Sequence, residues 1–476
     1  MRLELTGGFY EARSIIANAQ RCLNVYPEIN QDGAPCKLTH YQTPGLLLLS
    51  TCVTSRCRLL YQASNGNLYG VYGNKVYAIA SNFTFTELGT IAFNVTPCYM
   101  QDNRSIIVLV DGTTSGYVID MATNVMTAIS DPAFYGATRV DYVDTYFVFN
   151  RPGTNQFYWS PSNWNGTDAF DSLDIATKTA YPDDIASLIV MYSNIWLIGN
   201  QRSTEIFYNS GNADSTFEQQ PGTFIEHGTD APYSLAKQDL AVYFLCRDQQ
   251  GRAIVVRGGA DYKVKRISTH AIENEIGSYE TISDAIGWTY QQEGHIFYVL
   301  TFPTADKTWV YDEASEKWHE RCWLDDDGNE HRIRPNAMAF AYGKVICGDW
   351  QNGNLYELSL DVHTDNGQDI KRLRDFPHIV EDYNRVYYQG LIADMQVGAD
   401  TDPSSEPTLS MAYSDTRGQT WSNALTQSIG QTGQYLTTIQ YSRLGMARDR
   451  VFRLYWTGDF ETALNGVFID FKPGKS

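Results

Sequence analysis

The stretch Ile106-Ile107-Val108-Leu109-Val110-Asp111-Gly112, leading on to Gly116-Tyr117-Val118-Ile119, holds two short apolar runs on either side of a polar turn. β-Branched and aromatic residues suit a pleated, half-buried surface, and Asp-Gly is turn chemistry, so the stretch reads as a β-hairpin. The same unit recurs along the chain. Leu68-Tyr69-Gly70-Val71-Tyr72 turns at Gly73-Asn74 into Lys75-Val76-Tyr77, and Tyr146-Phe147-Val148-Phe149 turns through Asn150-Arg151-Pro152-Gly153 into Phe157-Tyr158-Trp159. Further units follow with turns at Gly199-Asn200, 247–251, 302–307 and 348–354.

The turns begin at 73, 111, 150, 199, 248, 302 and 348, at spacings of 38 to 54 residues. Hairpins at a period in the forties predict a β-propeller of about seven blades, give or take one. A single blade cannot cover both of its faces, so neighbouring blades must do so, and a closed ring leaves few open edges. The alternative is a β-sandwich with evenly spaced hairpins. The fold class expected is therefore all-β, in three parts. Residues 1–45 read as an N-terminal arm with a short helix over 11–21. Residues 46–378 read as the propeller. Residues 379–476 read as a small C-terminal all-β domain, with a loop at 400–407 and strands at 409–413, 435–441, 451–456 and 466–471.

The chain has 476 residues, 43% of them hydrophobic, enough for a large core and against disorder. Aromatics make up 13%, with 32 Tyr and 21 Phe, which again favours strands. The net charge of −19 repels duplex DNA and argues against gripping DNA through its phosphates, though not against surrounding it. The start, Met1-Arg2-Leu3-Glu4-Leu5, carries an acidic residue and no apolar core, so no secretory leader is expected there. Eight Cys are scattered without a C-x-x-C, which predicts reduced, buried thiols in a cytoplasm and no structural zinc.

Candidate chemistry is sparse. Ser414-Asp415-Thr416-Arg417-Gly418-Gln419-Thr420-Trp421 resembles an Asp-box, S-x-D-x-G-x-T-W, in which polar side chains bond a hairpin turn and Trp packs beneath. Thr416 stands where the Asp belongs, with Asp415 one place early. Ser414, Asp415, Gly418, Thr420 and Trp421 are thus candidate structural residues, with Trp421 expected to be a buried anchor. Such boxes recur in sialidase propellers, which raises a glycan-degrading alternative, but one altered copy outside the repeats supplies no catalytic site. Asp325-Asp326-Asp327-Gly328-Asn329-Glu330 lacks the ligand spacing of a calcium loop, and His319, Cys322 and His331 fit no zinc pattern. No nucleophile elbow or phosphate-binding loop occurs. No cofactor, metal or catalytic residue is expected. Arg443, Arg448, Asp449, Arg450 and Arg453 make the C-terminal part locally basic, either as hairpin ion pairs or as a patch facing an acidic neighbour.

Several stretches resemble the packaged-DNA stabilisation protein family, the tail hub or nozzle of short-tailed bacteriophages and related prophages. They include Ala19-Gln20-Arg21-Cys22-Leu23-Asn24-Val25-Tyr26-Pro27-Glu28, Tyr41-Gln42-Thr43-Pro44-Gly45-Leu46, Ser203-Thr204-Glu205-Ile206-Phe207-Tyr208-Asn209-Ser210-Gly211, Gly348-Asp349-Trp350-Gln351-Asn352-Gly353-Asn354-Leu355-Tyr356 and Arg443-Leu444-Gly445-Met446-Ala447-Arg448-Asp449-Arg450. Their shared order spans nearly the whole chain. The resemblance implies a non-enzymatic virion protein, assembled in the host cytoplasm as a ring, typically of six copies, beneath a portal-adaptor ring. It would continue the DNA channel, retain the genome and carry tail fibres, spikes or a plug. The runner-up is a receptor-binding or glycan-degrading tail protein with a sialidase-like propeller. A host-derived propeller scaffold is a third reading.

Overall fold

In the computed structural model each of the quoted hairpins forms the middle pair of a four-stranded antiparallel sheet. The structure describes residues 2–4, 7–34, 36–52, 55–92, 95–212, 215–398 and 406–474, with backbone alone at 2–4. The loop expected at 400–407 lies largely outside these residues. In the hairpin that opens the sequence, Ile106–Val110 pairs with Gly116–Asp120 through Val108↔Val118, and strands Tyr99–Asp102 and Met126–Ala128 flank the pair.

Seven such four-stranded units form a ring among the described residues, five as separate sheets and two within larger ones, so the expected propeller is present with seven blades. Blades 1 to 6 run Cys57–Thr90, Tyr99–Ala128, Val140–Thr177, Ile185–Gln219, Ala236–Arg266 and Ile286–Arg321. Blade 7 takes Pro335–Ala341, Lys344–Asp349 and Asn354–Ser359 from one end of the array, and its fourth strand, Gly45–Thr51, from the other. A strand from before blade 1 thus completes the last blade, which closes the ring and covers an edge.

The unbroken apolar run of 106–110 now has its reason. Ile107 and Leu109 pack with Tyr69, Val71 and Val76 of blade 1, while Ile106, Val108 and Val110 pack with Phe147, Phe149 and Tyr158 of blade 3. All five residues are buried because successive side chains point into different inter-blade cores. Each large apolar side chain so buried contributes about 1.5–3 kcal/mol. Blade 7 meets blade 1 through Ala337, Ala339 and Ile346 against Cys57, Leu68 and Tyr72. All eight cysteines are free thiols and buried.

The C-terminal part is a β-sandwich, and strand pairing crosses both of the boundaries drawn from the sequence. One sheet runs Ile439–Ser442, Val386–Met395, Ala463–Pro473, Leu38–Gln42, Val25–Ile29. The other is the continuation of blade 6. Cys22–Leu23 pairs in parallel with the last strand of that blade, Lys317–Arg321, through Glu320↔Leu23, and antiparallel with Arg372–Asp375 through Leu373↔Leu23. Arg372–Asp375 then pairs with Asp449–Trp456, and that strand with Thr408–Ser414. The ten-stranded sheet that results joins propeller to sandwich. Cys22–Leu23, Val25–Ile29 and Leu38–Gln42, expected in an arm, are therefore paired into these two sheets.

The short helix expected over 11–21 does not form. Tyr10–Glu11 pairs with Ala19–Gln20 around a turn closed by Ala17 N–H to Ser14 O at 2.8 Å. Tertiary contacts outweigh the local preference of this alanine-rich segment, since Ile15 packs on the Gly418 turn and Arg21 is held by ion pairs. The α-helix among the described residues, His270–Ile276, is capped by Thr269, whose Oγ1 accepts from the N–H of Ile272.

Candidate functional site at the propeller–sandwich junction

The Asp-box-like segment is the turn between Thr408–Ser414 and Leu425–Ser428. Ser414 Oγ accepts from the N–H of Gly418 at 2.8 Å, and Thr416 Oγ1 accepts from the N–H of Thr420 at 2.8 Å. Thr416 thus fills the backbone-bonding role that an Asp would take there. Gly418 has φ +88°, and a Cβ on it would lie 3.1 Å from Ile15, so this turn sits directly on the N-terminal segment. Asp415 leaves the turn and grips Arg450 in a two-pronged pair at 2.5 and 2.7 Å. Trp421 is half-buried. The Arg453 guanidinium lies 3.8 Å over its ring instead of a sealed apolar pocket.

The basic residues divide into two groups. Arg450 is 1% exposed, with its guanidinium 4.0 Å over Tyr413 and 4.5 Å over Tyr388. Arg453 holds Asp375 through two bonds of 2.6 Å. Burial raises the Asp375 carboxyl, and Arg453 works against that rise. Asp449 is buried between His378 Nδ1 at 2.6 Å and Arg417 Nε at 3.2 Å. His378 in turn bonds the carbonyl of Ile15 at 2.8 Å through Nε2. Arg443 and Arg448 are exposed, Arg448 donating to the carbonyl of Tyr383 at 2.5 Å. Three of the five candidates therefore act inside the molecule, and two face solvent.

Arg453, Trp421 and Gly418 also line a cavity of about 340 Å³ where the N-terminal segment, blade 6 and the sandwich meet. Sequence reasoning missed the rest of it. Arg21 bonds Glu320 at 2.8 Å and Glu330 at 2.6 Å, Lys307 bonds Glu320 at 3.0 Å, and Lys371 bonds Glu330 at 2.7 Å. Burial alone would raise the Glu330 carboxyl, but Arg21 and Lys371 bring it down to about 2. Burial lifts Glu11 in the same cavity, opposed by Arg21. These charges come from positions 11 to 453, and nothing local in the sequence links them. The arrangement pins three chain segments together.

The other sequence candidates are dispersed. Asp325 Oδ1 accepts from the N–H of Asp327 at 3.0 Å and of Asn329 at 2.7 Å, so its own turn consumes that carboxylate oxygen. His319 is fully buried, and burial lowers its imidazole to about 3. His331 instead bonds Asp306 at 2.6 Å and Asp325 at 3.2 Å. Among the described residues no group of three or more His, Cys, Asp or Glu could hold a metal ion.

A seven-bladed propeller tied by partly buried ion pairs to a β-sandwich defines a structural module. The chain belongs to the bacteriophage P22 Gp10 family: the model described as "Bacteriophage P22 Gp10, beta-propeller" matches residues 2–363, and "Bacteriophage P22 Gp10, beta-sandwich" matches 371–472. It is a structural tail protein of a phage virion. Among solved structures it is similar to the N-terminal domain of Nup159, at 10% identity over 71% of this chain and 98% of that one, TM-score 0.40. It is also similar to the Myceliophteria thermophila Cps50 (Swd1) β-propeller domain, at 7% identity over 66% of this chain and 99% of that one, TM-score 0.43. No curated protein matches it in sequence.

Proposed function

We propose that this chain is a nozzle subunit of a short-tailed phage. Copies assemble as a ring, six in number, beneath the portal-adaptor ring, continue the DNA channel, retain the packaged genome and offer attachment sites for fibres, spikes or a plug. The observation that carries this reading is the sheet that runs unbroken from blade 6 through Cys22–Leu23 into the sandwich. With the ion pairs of Arg21 across the same junction, it makes propeller and sandwich a stiff unit, as a ring holding a pressurised genome requires. Charge supports it. Residues 46–363 hold 21 Lys and Arg against 37 Asp and Glu, a net −16 of the chain's −19. A wall of that sign does not hold phosphates, so DNA leaves freely.

The proposal includes no catalytic role. The glycan-degrading alternative gains nothing from the Asp-box-like turn, which lies in the sandwich and not in a blade. Electron cryomicroscopy of particles carrying the protein is the test. The expected result is a ring of this fold around the channel below the adaptor, with genome lost from particles that lack it. A trimer at the tail periphery, or sialoside turnover abolished by a point substitution, would overturn the reading.

A further inference from the structure

Lysine normally leaves its ammonium in water even when its stem is covered. Lys178 does not. It lies between the last strand of blade 3, Ile175–Thr177, and the first of blade 4, Ile185–Met191, and is the one fully buried lysine among the described residues. Its Nζ donates to the carboxylate of Asp183, to Ser203 Oγ and, at 3.3 Å, to the carbonyl of Tyr181. Glu205 Oε1 stands 3.6 Å away. Lys178, Ser203 and Glu205 are 0% exposed and Asp183 is 3% exposed.

The surroundings of Asp183 are unusual for a partner in an ion pair. Its Oδ2 faces three successive backbone N–H groups, of Gln201 at 3.3 Å, Arg202 at 3.1 Å and Ser203 at 3.2 Å. Its Oδ1 accepts from Ser203 Oγ at 2.7 Å. Converging amides of this kind stabilise negative charge that develops on an oxygen. Glu205 is fixed by the N–H groups of Ala180 at 3.0 Å and Thr179 at 3.2 Å, with its carboxylate directed at the lysine. An amine, a carboxyl carbon whose oxygen sits among donors, and a second carboxylate able to move protons are thus enclosed without solvent.

We propose that Lys178 and Asp183 condense into an amide crosslink, with Glu205 carrying the proton. Glu205 takes one proton from the Lys178 ammonium. Glu205 hands that proton to Oδ1 of Asp183, so the freed lone pair meets a neutral carboxyl and forms the Nζ–Cγ bond, and the charge that gathers on Oδ2 is held by the three N–H groups. The Cγ–Oδ1 bond then breaks. The departing oxygen leaves as water with two protons, the one already delivered by Glu205 and one given up by Nζ, and the third lysine proton stays on the amide nitrogen. An ammonium and a carboxylate become an amide and one water, with no oxidant or co-reactant. Burial excludes the water that would reverse the step. The product is a ring through residues 178–183 that fastens the connection between blades 3 and 4.

Intact mass spectrometry of the denatured full chain tests this. The expected mass is about 18 Da, one water, below that of the sequence. Trypsin should not cut after Lys178, and fragment spectra should show no backbone breaks between 178 and 183. The loss should survive hydroxylamine, which opens a cyclic imide. Asp183→Asn should lose about 17 Da instead, as ammonia leaves. Lys178→Arg should keep its full mass, and Glu205→Gln should form the bond about 100-fold more slowly. Wild-type protein of full mass, cleavage after Lys178, a hydroxylamine-sensitive loss, or a crosslink mapped to Glu205 would each overturn the assignment. The wild-type measurement decides the matter even where a variant fails to fold.

Discussion

Trp421 shows how a motif can predict a role and misjudge its surroundings. The sequence pattern makes it a buried anchor, whose loss would cost about 3–5 kcal/mol. The structure leaves it half-buried under the Arg453 guanidinium, and Asp375 keeps Arg453 in place when the indole is gone. Trp421→Ala is therefore expected to cost only about 1–2 kcal/mol, read from chemical or thermal unfolding. A loss above about 4 kcal/mol would mean that the ring seals the cavity. His295 carries a pH dependence. Its Nδ1 bonds Asp312 at 2.9 Å, which raises the imidazole above its ordinary value against the opposing effect of burial, and Glu28 adds to the rise at 3.4 Å. A raised value in the fold means that the contribution is complete below about pH 6.5 and is lost as pH climbs through the folded value. Thermal unfolding should show wild type losing more stability than His295→Gln from pH 6.5 upward. Equal losses would show that the imidazole is not charged in the fold.

Among the elements, ring closure depends on Gly45. A Cβ there would lie 2.3 Å from the carbonyl oxygen of Val362 and 2.4 Å from that of Thr364, both backbone atoms that cannot turn aside. Gly45→Ala should push Gly45–Thr51 off Asn354–Ser359 and destabilise the protein by about 1–3 kcal/mol. Faster hydrogen exchange confined at first to blade 7 is the signature to look for, and unchanged exchange there would refute it. Thr43-Pro44-Gly45 carries turn chemistry, but nothing local marks it as the entry to the last blade. The middle hairpin of every blade was legible because turn chemistry and apolar runs are local. The strand Val386–Met395 was missed, since its Tyr, Gln and Gly residues alternate between buried and exposed without a long apolar run. The helix expected over 11–21 failed because its partners, Gly418 and Glu320, lie some 300 to 400 residues away.

For the molecule as a whole, charge governs the assembly proposed above. Nearly all of the −19 sits on the propeller, so free copies repel one another at low salt. A docked adaptor ring supplies a second contact and raises the effective concentration of neighbours. Sedimentation of the pure protein at micromolar concentration should then show a monomer at both low and moderate salt. A stable hexamer in both, with no adaptor present, would show that lateral contacts suffice.

By itself the sequence determined the all-β class, the repeat, the family and the absence of a recognisable catalytic motif. These rest on local facts: a hairpin needs only its own turn and apolar runs, and a period needs only counting. The tertiary structure alone decided that Cys22–Leu23, Val25–Ile29 and Leu38–Gln42 are woven into the sandwich sheets and Gly45–Thr51 into blade 7, that Arg450, Asp449 and Arg453 are internal ties, and that Lys178 meets Asp183 and Glu205 in the interior. Burial and ion pairing are properties of side chains brought together from distant positions. A charged residue bound for the interior looks the same in sequence as one bound for solvent, until the fold chooses its neighbours.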